Sequence, residues 1–221
     1  MFNGYQATVL IPKNFNGKWI WKTEFLYAFD QAERRLYEMG YARVYYNISD
    51  KYGSVYAIRL MHNFHLELLR LYPNFDKKSI LFGFSRGALY AFNYALYYPE
   101  YISKIYLDAP VLNLKSWPPL RTKELEQVFE EYNLDVHTFK VFKDSPIDCL
   151  DEFFNTKIPI MLIAGDNDTC VPFNDNGRYM VEYCKNNNIL LKFILKENCG
   201  HHPHSLENVK PIIDFVKNDR L

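Results

Sequence analysis

The stretch "SILFGFSRGALYAF", residues 79–92, decides how this chain folds. An apolar run of the length of a strand leads into Gly83-Phe84-Ser85-Arg86-Gly87, and an apolar, Ala-bearing helical stretch follows at once. The five central residues form a G-x-S-x-G pattern, which alone matches by chance. The strand before it and the helix after it make it specific. A strand that reverses into a helix without a spacer forces the serine into a strained conformation, and glycines on either side leave room for that turn. The Ser85 hydroxyl is then lifted clear of the sheet at a helix N-terminus, where free N–H groups and the helix dipole favour developing negative charge. A Gly-rich turn with an incidental serine is the competing reading, and the flanking elements weigh against it.

Working outward, the chain alternates apolar runs with longer helical stretches, the pattern of a mostly parallel sheet covered by helices. Strands are expected at 6–11, 42–47, 78–83, 104–108, 158–165 and 189–195, and helices over 21–39, 54–71, 86–98, 172–187 and 205–217. Several of the strands are apolar on both faces, as strands buried between two helical layers must be. Residues 110–157 break the rhythm with "PVLNLKSWPPL", the charged stretch "RTKELEQVFEEYNL" and a further helical stretch near 146–155. They read as a small helical insertion, a lid or pocket wall, within one α/β domain spanning 1–221. A chain of 221 residues fits a single domain.

A serine nucleophile needs a base, and the base needs an orienting acid. On such a sheet the partners follow in the order serine, acid, histidine, each on a loop after a later strand. After "IPIMLIAG" comes "DNDTCVP", carrying Asp166 and Asp168; after "ILLKFIL" comes "KENCGHHPHS", carrying His201, His202 and His204. Catalytic groups of these sheets gather outside the carboxyl ends of the strands, so three remote loops converge.

The motifs "GFSRG", "AGDNDTCVP" and "GHHPH", in this order and each after a strand, resemble those of the α/β-hydrolase superfamily, in particular its compact bacterial esterase-like members. The resemblance covers nearly the whole chain. It places the nucleophile on Ser85, the acid of the G-x-x-D turn on Asp168 and the base after the last-loop glycine on His201. Asp166 and Asp108 stay open as alternative acids, and His202 and His204 as alternative bases. The resemblance implies ester hydrolysis through an acyl-enzyme, with a short-chain, acetyl-type ester as substrate and no cofactor. A peptidase or amidase on the same fold remains an alternative, as does a non-catalytic hydrolase-like binding protein.

Two departures from the family pattern bear on the site. The early loop lacks the family's His-Gly and reads "IPKNFNGKWIWKTEF" instead. One oxyanion donor is expected to be the Arg86 amide, and the second an amide near a helix start at Trp19–Trp21, with Trp21 the candidate. Trp19, Asp50 and Trp117 are candidate substrate contacts; the tryptophans could equally seal core, and Asp50 could cap its loop. The short N-terminus implies a reduced sheet of roughly six strands lacking an edge, which a homodimer partner could cover.

Cys199, His201, His202 and His204 invite a zinc reading. Four candidates within six residues, one of them followed by Pro203, are hard to aim at one ion, so no metal is expected. The 26 basic and 26 acidic residues cancel, giving no reason to expect nucleic acid as a partner. No apolar run reaches the roughly 18 residues of a membrane span. The N-terminus lacks a signal-peptide pattern and the four cysteines lack a CxxC pair, which suggests a reduced, cytoplasmic protein.

Overall fold

The computed structural model describes residues 1–218. Seven strands form one sheet: β1 (Ala7–Leu10), β2 (Trp19–Lys22), β3 (Ala42–Tyr46), β4 (Ser79–Phe84), β5 (Ile102–Asp108), β6 (Ile160–Gly165) and β7 (Lys192–Lys196). Their order is β1-β3-β2-β4-β5-β6-β7. Only β1 runs antiparallel, against β3; every other pairing is parallel. The helices among the described residues are α1 (Gln31–Glu38), α2 (Val55–Leu71), α3 (Gly87–Tyr97), α4 (Lys123–Tyr132), α5 (Val136–Val141), α6 (Leu150–Asn155), α7 (Gly177–Asn186) and α8 (Lys210–Lys217).

The sheet thus has seven strands where six were expected. The additional one is β2, which lies in the stretch read as the approach to a helix. Its four residues, "WIWK", are too short to show a period, yet aromatic and β-branched residues bounded by Asn16-Gly17 are a strand's composition. The helix expected from residue 21 begins only at Gln31, because Phe25 and Phe29 hold φ of +57° and +51° and break any helical run before it.

Strand alternation sorts the core into two layers. Trp19, Trp21 and Leu81 face one side with α2 and α3, in a cluster that also takes in Val128 of α4, Phe153 of α6 and Met180 of α7. Ile20, Phe82 and Phe84 face the other side, under Leu36 of α1 and Phe215 of α8. His65 of α2 is fully buried in the first layer, with its ring nitrogens against the Lys77 carbonyl (2.9 Å) and the Tyr94 hydroxyl (2.9 Å). Burial pushes its pKa down to about 4.

The order of strands sets the position of the site. From β2 the chain steps outward to β3 and then crosses back to β4. The crevice outside the carboxyl ends of β2 and β4 is therefore the switch point at which open α/β sheets place ligands. Residues 110–157 pack their helices beside this edge. α4 meets the turn Ser49–Lys51 that follows β3, where Lys51 pairs with Glu131 (2.8 Å) and the Tyr52 hydroxyl donates to Gln127 (2.6 Å). Among the described residues, no helix is long and apolar enough to cross a membrane.

Candidate active site

The turn after β4 is held by its neighbours. Ser85 sits at φ +50°, a left-handed conformation that costs a non-glycine residue energy. Its amide donates to the Asp108 carbonyl (2.9 Å) and its carbonyl accepts from the Val111 amide (3.0 Å), so the strain is supported from both sides. Glycine is required on either flank by close approach. A Cβ at Gly83 would lie 2.9 Å from Ala88 Cα of α3, and one at Gly87 would lie 3.0 Å from both Glu24 Cβ and Thr23 Oγ1.

Ser85, His201 and Asp168 come together from the ends of β4, β7 and β6. His201 Nε2 lies 2.9 Å from Ser85 Oγ, and His201 Nδ1 lies 2.7 Å from Asp168 Oδ2. A carboxylate only accepts, so Nδ1 carries the proton and donates it to Asp168. Nε2 is then a lone pair facing the serine hydroxyl, the tautomer a general base requires. The other carboxylate oxygen of Asp168 accepts from the amides of Cys170 (2.9 Å) and Val171 (2.8 Å). Burial alone would raise the Asp168 pKa, but the bond from His201 and the two amides outweigh it and hold it below the ordinary value.

The alternative residues have other partners. Asp166 accepts from the Cys199 amide (3.3 Å), and the Asn167 amide donates to the Cys199 carbonyl (2.9 Å), lacing the acid turn to the base loop. Gly165 sits in this lacing, where a Cβ would come within 2.3 Å of the Cys199 carbonyl oxygen. Asp108 is fully buried and binds His204, not His201: His204 Nδ1 donates to Oδ1 (2.9 Å), while the Ser205 amide (2.8 Å) and the Tyr106 hydroxyl donate to Oδ2.

Sequence reasoning missed this second histidine–carboxylate pair, because its members lie 96 residues apart. The partial signal was Asp108 at a strand's carboxyl end. The four metal candidates of the last loop do not all converge, but its three histidines do come together. The rings of His201, His202 and His204 pack edge to face, each pair 4.9 Å apart between centroids. One ring nitrogen from each lies within 4.8 Å of one from each of the others; Cys199 does not join them. The loop is irregular, neither helical nor extended, so sequence neighbours are not held on opposite sides.

Two tryptophan expectations are overturned. Trp21 lies inside β2, paired with β3 and β4, its ring buried against Phe64 and Tyr94, so it has no place in an oxyanion hole. Trp19 is fully buried at the opposite edge of the sheet, its indole N–H donating to the Asp76 carbonyl (2.8 Å). It cannot contact a substrate at Ser85. Trp117 is also buried, its ring 6.3 Å from that of Tyr52. Asp50 is half-exposed and pairs with Lys51 at 2.9 Å.

The loop after β2 packs against Gly87, at the start of α3. Thr23 Oγ1 donates to the Gly87 carbonyl (2.7 Å), and the Thr23 amide is spent on the Phe82 carbonyl (3.0 Å). The amides of Arg86, Glu24 and Phe25 have no acceptor among the described residues. The Arg86 guanidinium lies between the rings of Phe25 (5.3 Å) and Tyr52 (5.9 Å) and 3.5 Å from the buried Glu24 carboxylate. Burial pushes the Glu24 carboxyl up, against the pull of Arg86 and the Ser49 hydroxyl.

No protein-family model matches the chain, and no curated protein matches it in sequence. Solved structures match it in fold. A puromycin-hydrolyzing peptidase of Mycobacterium tuberculosis superposes with a TM-score of 0.69 at 13% identity, over 90% of this chain and 34% of its own. FphF, a fluorophosphonate-binding serine hydrolase of Staphylococcus aureus, gives 0.69 at 15% identity over 89% and 85%. MGS-MChE2, an α/β hydrolase from the metagenome of lagoon sediments at Mar Chica, Morocco, gives 0.56 at 14% identity over 98% and 94%. The chain spans about a third of the length of the peptidases it resembles.

Proposed function

We propose that this chain, which has the α/β-hydrolase fold, is a serine hydrolase that cleaves short-chain carboxylic esters through an acyl-enzyme. The observation that carries the reading is the unbroken hydrogen-bonded series Ser85–His201–Asp168. In this mechanism His201 Nε2 takes the Ser85 proton as Oγ attacks the ester carbonyl, and Asp168 stabilises the imidazolium. The Arg86 amide and one from the Glu24–Phe25 turn, neither of which has an acceptor among the described residues, receive the oxyanion in this reading. The alcohol departs with the proton from His201, and water attacks the acyl-enzyme with His201 again as base. Trp117, whose ring lies 6.3 Å from that of Tyr52, and Asp50, on the turn after β3, are the substrate contacts this reading assigns. Four free cysteines fit a reducing compartment, the cytoplasm.

Purified protein should release nitrophenol from nitrophenyl acetate and butyrate, and Ser85→Ala should lower kcat roughly 10⁴-fold or more. Undiminished turnover in that variant would sink the proposal. Faster cleavage of aminoacyl nitroanilides than of esters would make the chain a peptidase instead. Failure of Ser85 to react with a fluorophosphonate would make it a non-catalytic binding protein.

A further inference from the structure

We propose that His201, His202 and His204 form an inhibitory site for a divalent transition ion, of which Zn²⁺ is the best match. Three features of the last loop point there. The three imidazoles already offer ring nitrogens within 4.8 Å of one another. Tetrahedral zinc holds its nitrogens at about 2.0–2.1 Å, so neighbouring ligand atoms end about 3.3 Å apart and the cluster has only to contract.

Two of the three rings are prepared in the manner metal sites use. His201 and His204 each donate Nδ1–H to a carboxylate, Asp168 at 2.7 Å and Asp108 at 2.9 Å. That bond fixes the tautomer and leaves the Nε2 lone pair outward, as outer-shell carboxylates do for metal-bound histidines. The third ring, His202, has no hydrogen bond to a described residue. It is exposed, and its ring is held by stacking on Phe29 (5.5 Å) and by edge-to-face contacts with His201 and His204 (4.9 Å each) with no such bond to fix it, so it is the member that can swing inward.

Charge agrees with this assignment. A divalent ion held by the three imidazoles would lie next to the two carboxylates that back them, Asp168 and Asp108. The nearby cation, Lys196, is occupied with the carbonyls of Pro203 (2.6 Å) and Ser205 (3.3 Å) and braces the loop. Imidazole sets suit zinc and copper and are poor hosts for magnesium or calcium.

The consequence follows from one shared atom. The His201 lone pair that would ligate the ion is the one that accepts the Ser85 proton. A bound ion takes that lone pair, the serine keeps its proton, and the nucleophile is silent until the ion leaves. The binding half of this inference stands on the cluster alone; the inhibitory half rests on the serine-hydrolase reading.

The test is Zn²⁺ titration calorimetry on the full chain in chelator-free buffer, run beside fluorophosphonate labelling of Ser85 followed by intact mass. One ion per chain is expected, with binding weakened at least ~10-fold in His202→Ala, since even outer-shell changes cost roughly 10–100-fold. Zn²⁺ should slow labelling of the wild type, EDTA should restore it, and His202→Ala should need at least ~10-fold more ion for the same slowing. Absent binding, binding of equal strength in His202→Ala, or bound zinc that leaves labelling unchanged would each overturn the proposal. Metal-free protein that fails to label would sink the hydrolase reading instead, while calorimetry still decides the site.

Discussion

At the scale of single residues, the two carboxylates near the site divide their labour by partner. Asp168 faces His201, whereas Asp108 holds His204 and the Ser205 amide. Asp168→Asn should lower kcat roughly 10⁴-fold by allowing the wrong imidazole tautomer, with folding largely kept. Asp108→Asn removes a buried acceptor of three bonds and should cost about 3 kcal/mol in urea unfolding, while Ser85 in the folded fraction still labels. Equal loss of kcat in a folded Asp108→Asn variant would exchange the two roles. Ser85, Asp168 and His201 could be singled out in the sequence because each follows a strand in a turn with a short-range mark. His204 carried no such mark: its partner is fixed by where β5 ends in space, which no local pattern encodes.

At the scale of elements, α3 and the loop after β2 form one unit, because Gly87 lets Thr23 and Glu24 lie against the helix N-terminus. Gly87→Ala pushes that loop outward by a few tenths of an ångström and carries the second amide with it. We expect kcat to fall roughly 10–100-fold, as small misplacements do, with the unfolding midpoint little changed. A variant of wild-type activity would remove the Glu24–Phe25 turn from the oxyanion hole. Helix α2 supplies a pH test. The folded His65 pKa of about 4 lies below the unfolded value of about 6.5. The unfolded chain therefore takes a proton that the folded chain refuses, and stability falls as pH drops from about 6.5 to about 4, by about 3 kcal/mol. The stability gap between wild type and His65→Gln should narrow over that window; a constant gap would refute the linkage. The helices α2 and α3 and most strands were legible from periodicity and their stop signals. β2 was not, since four residues buried on both faces show no alternation.

At the scale of the whole molecule, the two core layers share the same strands and should unfold together. All three tryptophans lie in the layer under α2 and α3. Phe82 points into the other layer, under α1 and α8. Phe82→Ala should cost about 3–5 kcal/mol and lower the midpoint seen by tryptophan emission and by far-ultraviolet dichroism equally. Separate midpoints would show that the layers melt independently. The α/β class and the helical character of 110–157 follow from the alternation of apolar runs. The order of strands does not: it depends on which edges meet once the helices are packed.

The placement of His201 behind β7 also bears on the birth of the molecule. Among the described residues β7 is an edge strand that pairs with β6, and the loop it launches carries His201. During synthesis the nucleophile turn can fold long before its base has been translated. A ribosome-bound chain short of β7 would thus carry Ser85 without its histidine partner, which would arrive when β7 pairs with β6. The joined Ser85–His201–Asp168 series would then require translation to have run past residue 201.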